Sequence, residues 1–278
     1  MKYGIRMPLE DHIGDICRKA RLQTKTELSG AARAAGVGVV ELKKWETDGV
    51  ADLPVNIEAL SALLGLDPVK AVAIAQGWEP QELDLSRWQN LSMFTTNEGF
   101  DVNSFVVWDS GSKEAAIFDT GWFAESIFAL ADNEELHMRY LFITHMHGDH
   151  VAALGQIRKR WPEIMVYSNN DAAPEKNRVR EGEPVQLGRM KVAARFTPGH
   201  AVDGVTYVVD LWDEGAPPVA MVGDAIFAGS MGKDYSTPEL AQLKVREQIL
   251  SLPEDALICP GHGPVTTVGQ ESDQNPFF

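Results

Sequence analysis

Seven side chains with metal-binding chemistry fall in four short runs of this 278-residue sequence. The densest, Thr144-His145-Met146-His147-Gly148-Asp149-His150, packs three imidazoles and a carboxylate into six positions. Offsets of two, four and five match neither one face of a helix nor one side of a strand, so a loop is needed for these donors to converge on one point. Imidazole and carboxylate groups gathered in this way serve divalent metal ions. The chain has seven histidines, and five lie in such runs beside Gly, Asp or Pro. His12 and His137 lie outside any motif and read as surface or ordinary polar residues.

Three further runs repeat the plan of a ligand on a loop after a strand. Phe196-Thr197-Pro198-Gly199-His200 and Cys259-Pro260-Gly261-His262-Gly263-Pro264 each set a histidine beside glycine, which lets backbone come close to a metal. Met221-Val222-Gly223-Asp224 ends an apolar strand in a carboxylate, whose charge is costly there unless a cation offsets it. Cys259 stands near His262, and a thiolate would be a good zinc donor; its place in the apolar run Ala-Leu-Ile-Cys favours a buried thiol. Cys17 reads the same way, and two cysteines so far apart do not indicate a disulfide framework.

The elements that must position these loops follow from the hydrophobic pattern. Ser104 to Trp108 and Ala115 to Asp119 suggest a hairpin over Asp109-Ser110-Gly111-Ser112, and Tyr140 to Ile143 a buried strand leading into the first ligand run. A helix is expected over Val151 to Trp161, strands over Ile164 to Tyr167, Lys191 to Phe196, Val205 to Asp210, Val219 to Val222 and Ala256 to Cys259, and a helix over Pro238 to Leu250. Residues 1–85 differ: apolar positions recur at three and four, which predicts a small all-α domain. Thr26 is a candidate cap, Gly36 and Gly49 fall where helices would end, Asn56 and Asp67-Pro68 open further helices, and the last stops near Gly77. The polar stretch Glu79 to Arg87 reads as the connection to a second domain over 91–278.

The formal net charge of −15 disfavours broad attraction to phosphate backbones or anionic lipid. The N-terminus has no apolar run suited to a signal peptide, and no segment is long and apolar enough to span a bilayer, so the cytoplasm is the expected location and no membrane partner is expected.

The series His-x-His-x-Asp-His, Pro-Gly-His, Gly-Asp and Gly-His-Gly-Pro, in this order, resembles the metal-binding series of the metallo-β-lactamase superfamily, from about Leu91 onward. The resemblance implies a mixed α/β (α+β) fold, a four-layer αββα sandwich preceded here by the all-α domain. It implies two divalent metal ions, zinc first, with iron or manganese as alternatives. His145, His147 and His200 would hold one ion, Asp149, His150 and His262 the other, with Asp224 bridging. Asp119, in Phe118-Asp119-Thr120-Gly121, would orient a ligand imidazole. Two such ions would stabilise a bridging hydroxide at neutral pH, able to attack an ester or thioester carbonyl, and Asp149 could shuttle a proton.

Within the superfamily, Thr197 to His200, Gly223 to Lys233, Ile258 to Thr267 and the closing Asn275-Pro276-Phe277 are similar to segments of hydroxyacylglutathione hydrolase, or glyoxalase II. By this resemblance Lys233 is a candidate contact for a substrate carboxylate. The departure Ala201-Val202-Asp203-Gly204 after Pro-Gly-His, and the short stretch after His262, weaken glutathione as the carrier. A small-molecule thioester or ester is thus the expected substrate. A lactonase aided by Tyr235 is an alternative, as is a sulfur dioxygenase, which resembles glyoxalase II but oxidises a persulfide with one iron. Asp224 stands where many β-lactamases place cysteine, and His147 where diiron flavoproteins place glutamate; both branches are disfavoured.

Gly36 to Glu46 resembles the turn and second helix of phage-repressor helix-turn-helix domains, with spacing that implies a lengthened first helix. Residues 1–85 hold ten Lys and Arg against thirteen Asp and Glu, poor for phosphate contact through residues 26–49 despite Lys43 and Lys44. Packing, homo-oligomer formation or a lid over substrate is favoured over DNA recognition; a metal- or metabolite-sensing regulator is the non-enzymatic alternative.

Overall fold

The computed structural model describes residues 7–212, 215–234 and 237–278. Two sheets lie at its centre. The first contains β1 (Leu91–Asn97), β2 (Asp101–Trp108), β3 (Glu114–Phe118), β4 (His137–Phe142) and β5 (Met165–Tyr167), in that spatial order. The second runs β11 (Thr266–Thr267), β10 (Leu257–Pro260), β9 (Val219–Gly223), β8 (Val205–Asp210), β7 (Met190–Phe196) and β6 (Val185–Leu187).

Period-two alternation sorts side chains onto opposite sheet faces and so builds the layers. Phe105, Val107, Ala116, Phe118 and Phe142 of the first sheet join Val192, Val205, Tyr207, Val219, Met221, Leu257 and Cys259 of the second in one core between the sheets. Their neighbours Val106, Ala115, Ile117 and Leu141 pack instead with Ile127 and Ala131 of α6 (Glu125–Asn133) and Ile157 of α8 (Leu154–Arg160). On the other side Val208, Ala220, Val222 and Ile258 pack with Val245 of α9 (Pro238–Gln248) and Val268 of α10 (Val268–Gln274). This is the αββα sandwich expected from the sequence. Each Val, Leu, Ile, Phe or Met side chain buried in this way contributes roughly 1.5–3 kcal/mol.

Strand direction gathers the motifs. β3, β4 and β5 are parallel, β9 and β10 are parallel, and β7 and β9 are both antiparallel to β8 and so run together. In each sheet, the strands that lead into a ligand run therefore end at the same edge.

The N-terminal part holds α1 (Ile13–Gln23), α2 (Leu28–Ala35), α3 (Val39–Asp48), α4 (Ile57–Leu63) and α5 (Pro68–Ala75). Its apolar core, with Ile16, Cys17, Leu42, Trp45 and Leu60, continues into Met231, Ala241 and Phe277. No helix among the described residues is long and apolar enough to cross a membrane.

Several expectations need correction. Thr26 does not cap α2: its hydroxyl pairs with that of Thr24 at 2.8 Å, and Glu27 takes the cap position without a side-chain bond. The helix α2 is not lengthened; Gly36, at φ 72°, ends it after eight residues. The helix expected over Val151 to Trp161 is two pieces, α7 (Gly148–Val151) and α8, because Ala153 N donates to the Thr120 hydroxyl and the Gly121 carbonyl instead of continuing the first ladder. Asp119 lies outside β3, at a left-handed φ of 53°. The elements β1, β6, β11, α6 and α10 have no counterpart in the sequence reading.

Candidate metal centre

All seven donors identified in the sequence come together where the two sheets meet. The loop after β4 brings His145 and His147, α7 carries Asp149 and His150, the loop after β7 brings His200, and Asp224 and His262 follow β9 and β10. Three overlapping groups can each hold an ion, their ligand atoms lying within 4.8 Å of one another: His145, His147 and His200; His145, His150 and Asp224; and Asp149, His150 and His262. In the first, Nδ1 of His147 is 3.0 Å from Nε2 of His145 and 2.9 Å from Nε2 of His200. Zinc–nitrogen bonds of about 2.0–2.1 Å set tetrahedral donors roughly 3.3 Å apart, so these nitrogens need move little to share one ion.

Asp224 stands between the groups. Its Oδ2 is 3.4 Å from Nε2 of both His200 and His262, and its Oδ1 is 3.3 Å from Nε2 of His150. Nε2 of His150 and Oδ1 of Asp224 are buried and have no hydrogen-bond partner. Buried polar atoms without partners are expensive, and here a cation would satisfy both.

The outer nitrogens of the rings are held by oxygens. Asp119 Oδ2 lies 2.8 Å from Nδ1 of His150 and accepts the Thr144 hydroxyl at 2.7 Å, while its Oδ1 accepts the Thr144 backbone N–H. Because the Thr144 proton goes to the carboxylate, its oxygen is left to accept from Nδ1 of His145 at 3.1 Å. Nδ1 of His262 donates to the Asp101 carbonyl at 2.6 Å, and Nδ1 of His200 to the Lys233 carbonyl at 3.1 Å. Each bond engages the outer nitrogen and turns Nε2 toward the centre.

The superfamily pattern described as "Metallo-beta-lactamase superfamily" matches residues 97–262, more than half of the chain. The chain belongs to the metallo-beta-lactamase superfamily. Among relatives within it, hydroxyacylglutathione hydrolase GloC of Haemophilus influenzae is 28% identical over 205 residues, covering 64% of this chain and 93% of that protein. The mitochondrial persulfide dioxygenase ETHE1 of Bos taurus is 29% identical over 182 residues, covering 62% of this chain and 70% of that one. The crystal structure of BLEG-1 B3 metallo-beta-lactamase superposes with a TM-score of 0.57 at 27% identity, covering 67% of this chain and 98% of that one. Superfamily members bind divalent metals, and the histidine and aspartate cluster here suits that chemistry.

Electrostatics at the centre follow from burial and two carboxylates. Burial, reinforced by the neighbouring His150, holds His145 down to about 2, so it is a neutral donor. Burial likewise lowers His200. Burial opposes charge on His150 and His262 too, yet Asp119 and Asp224 raise the first to about 10, and hydrogen bonds to Asp149 and Asp224 raise the second to about 11. Burial works against Asp224, but the same two imidazoles hold its carboxyl well below the usual range. Protons on these rings compensate the carboxylates, and a divalent cation would compete for the same positions.

The other sequence candidates are placed differently. Lys233 is exposed, and its carbonyl is bound to His200. Tyr235 lies outside the described residues. Cys259 is buried in the inter-sheet core and belongs to none of the three donor groups. His12 caps α1 and His137 is exposed on β4, as expected of ordinary polar residues. Two residues without a sequence signal also belong here: Thr144, which adjoins His145, and Phe100, half exposed, whose ring lies 5.8 Å from that of His262 and 5.2 Å from that of Trp122.

Proposed function

We propose that this chain is a metal-dependent hydrolase of small-molecule thioesters or esters, with His145, His147 and His200 on one divalent ion, Asp149, His150 and His262 on a second, and Asp224 shared. The observation that carries the reading is Asp224, whose two oxygens face donors of both sets and include a buried atom without a partner. Paired divalent ions supply Lewis acidity and acidify water to near neutral pH, with the pKa brought to about 7 by zinc alone.

The chain's own residues then do the positioning. Asp119 and Thr144 orient His150 and His145, and the carbonyls of Asp101 and Lys233 orient His262 and His200. Asp149, only partly buried and held in the carboxylate form against the opposing effect of burial by its bond to His262, is the group to accept and return a proton. Phe100 and Trp122 offer an apolar wall beside His262, suited to an acyl chain or thiol carrier. Lys233, at the exposed rim beyond His200, is the proposed contact for a substrate carboxylate.

The test is elemental analysis of protein purified without chelator and without oxygen, followed by turnover of a thioester and lactone panel. About two metals per chain with thioester cleavage supports the hydrolase. The similarity to a persulfide dioxygenase supports a second reading, which a single iron per chain and oxygen-dependent persulfide oxidation would establish instead.

A further inference from the structure

The loop that follows Asp224 is gripped by the helical part of the chain. It folds back on the metal centre: a Cβ on Gly232 would lie 1.9 Å from the Asp224 carbonyl oxygen and 3.0 Å from Nδ1 of His200. Lys233 then offers its carbonyl to that same nitrogen. One residue before Gly232, the Met231 carbonyl accepts Nζ of Lys19 at 2.8 Å. Lys19 lies on α1 and is only 3% exposed.

The same ammonium pairs with Asp11, whose carboxylate also accepts the Ser230 hydroxyl at 2.6 Å. It sits 5.1 Å from the centre of the Phe227 ring, and that ring meets His262 edge-on at 5.8 Å. From the other side, Asn275 Nδ2 donates to the Ser230 carbonyl at 2.8 Å.

An apolar pair of similar volume would often hold two such surfaces together as well as a buried ion pair does. What an ammonium adds is direction, because a carbonyl bound to it is fixed in orientation as well as in place. We infer that Lys19 is a positioning residue for the metal centre: with Asp11 it clamps the loop of residues 225–234, so that the turn at Gly232 and the Lys233 carbonyl hold Asp224 and His200 on their ions. The helical part is on this account a component of the metal centre. The inference rests on the reading of His200 and Asp224 as ligands.

The experiment compares the full-length wild type with a Lys19→Met, Asp11→Asn double variant, which removes both charges and leaves no buried ion unpaired. Zinc affinity is read by competition with a chromophoric chelator, and the ligand field by the absorption of the cobalt-loaded protein. The expected result is an affinity about 10- to 100-fold weaker with an altered cobalt spectrum, at unchanged helical circular dichroism. Unchanged affinity and spectrum in a folded variant overturn the role of Lys19. If the variant does not fold, hydrogen exchange of the wild type decides: zinc should slow exchange in α1 as well as in residues 225–234, and protection confined to the ligand loops overturns the inference. Wild type that takes up no zinc overturns the ligand reading itself.

Discussion

Asp119 Oδ2 stands 2.8 Å from Nδ1 of His150 and, through the Thr144 hydroxyl at 2.7 Å, also governs Nδ1 of His145. One buried carboxylate, held at a left-handed backbone position, thereby aims two imidazoles, one on the loop after β4 and one on α7. Asp119→Asn keeps the shape and removes the charge. It should weaken metal binding by about 10- to 100-fold, measured by chelator competition, with the ligands themselves untouched.

Asp224 and His147 differ in how much of the centre depends on them. Of the three donor groups His147 belongs to one, whereas Asp224, a member of another, also faces His200 of the first and His262 of the third. Both His147→Ala and Asp224→Ala should abolish metal-dependent turnover and leave the helical part folded. Elemental analysis should separate them, with about one metal retained in the first variant and fewer in the second. Full activity in either would overturn the ligand reading.

Gly261 lies against two of the proposed ligands. A Cβ there would come within 2.4 Å of Asp224 Oδ1 and 2.6 Å of Cε1 of His150. Gly261→Ala should therefore displace a carboxylate and an imidazole together and lower metal content severely. Circular dichroism should remain that of the wild type, since the nearest atoms the new methyl meets belong to Asp224 and His150.

Glu271 predicts a pH dependence away from the metal. Burial pushes its carboxyl up to about 7, even though Asn275, Gly229 and Thr266 donate to it. The folded chain then keeps a proton that the unfolded chain releases above pH 4.5, so the contribution to stability is full below pH 4.5 and is lost as pH rises through about 7. The change is on the order of 3 kcal/mol across that window. Urea unfolding of Glu271→Gln should show a flatter dependence on pH than the wild type.

Burial pushes the Cys17 thiol up to about 12 and raises that of Cys259 as well. Both should resist thiol reagents in the native protein and react at the rate of unfolding. Fast labelling of Cys259 without denaturant would contradict its place between the sheets.

The proposed ligands were legible because the donors from His145 to His150 are close in sequence, although the last two lie on the short helix α7 and not on the loop that the spacing suggested. The strands behind them were legible through continuous apolar runs, as in Val205 to Asp210, which matches β8 residue for residue. β1 was not, because Ser92, Thr95, Thr96 and Asn97 dilute its apolar positions, and α6 lacks a side-chain cap to announce it. Thr26 misled because an available hydroxyl two residues away competed for it. Lys19 and Asp11 carried no sequence signal, because their partners Met231 and Ser230 lie more than two hundred residues away.

The donors are divided between the sheets, four reached through β4 and three through β7, β9 and β10. Among the described residues, Tyr207 Oη to the Ile143 carbonyl and Val205 N to the Thr144 carbonyl, both at 2.9 Å, tie the first ligand run across the gap. The sandwich interior therefore works as a spacer of fixed thickness, and a metal ion bound at its rim is sensitive to how that spacer is cut. Trimming a ring such as Phe142 or Tyr207, well inside the protein, would let one half of the centre drift from the other.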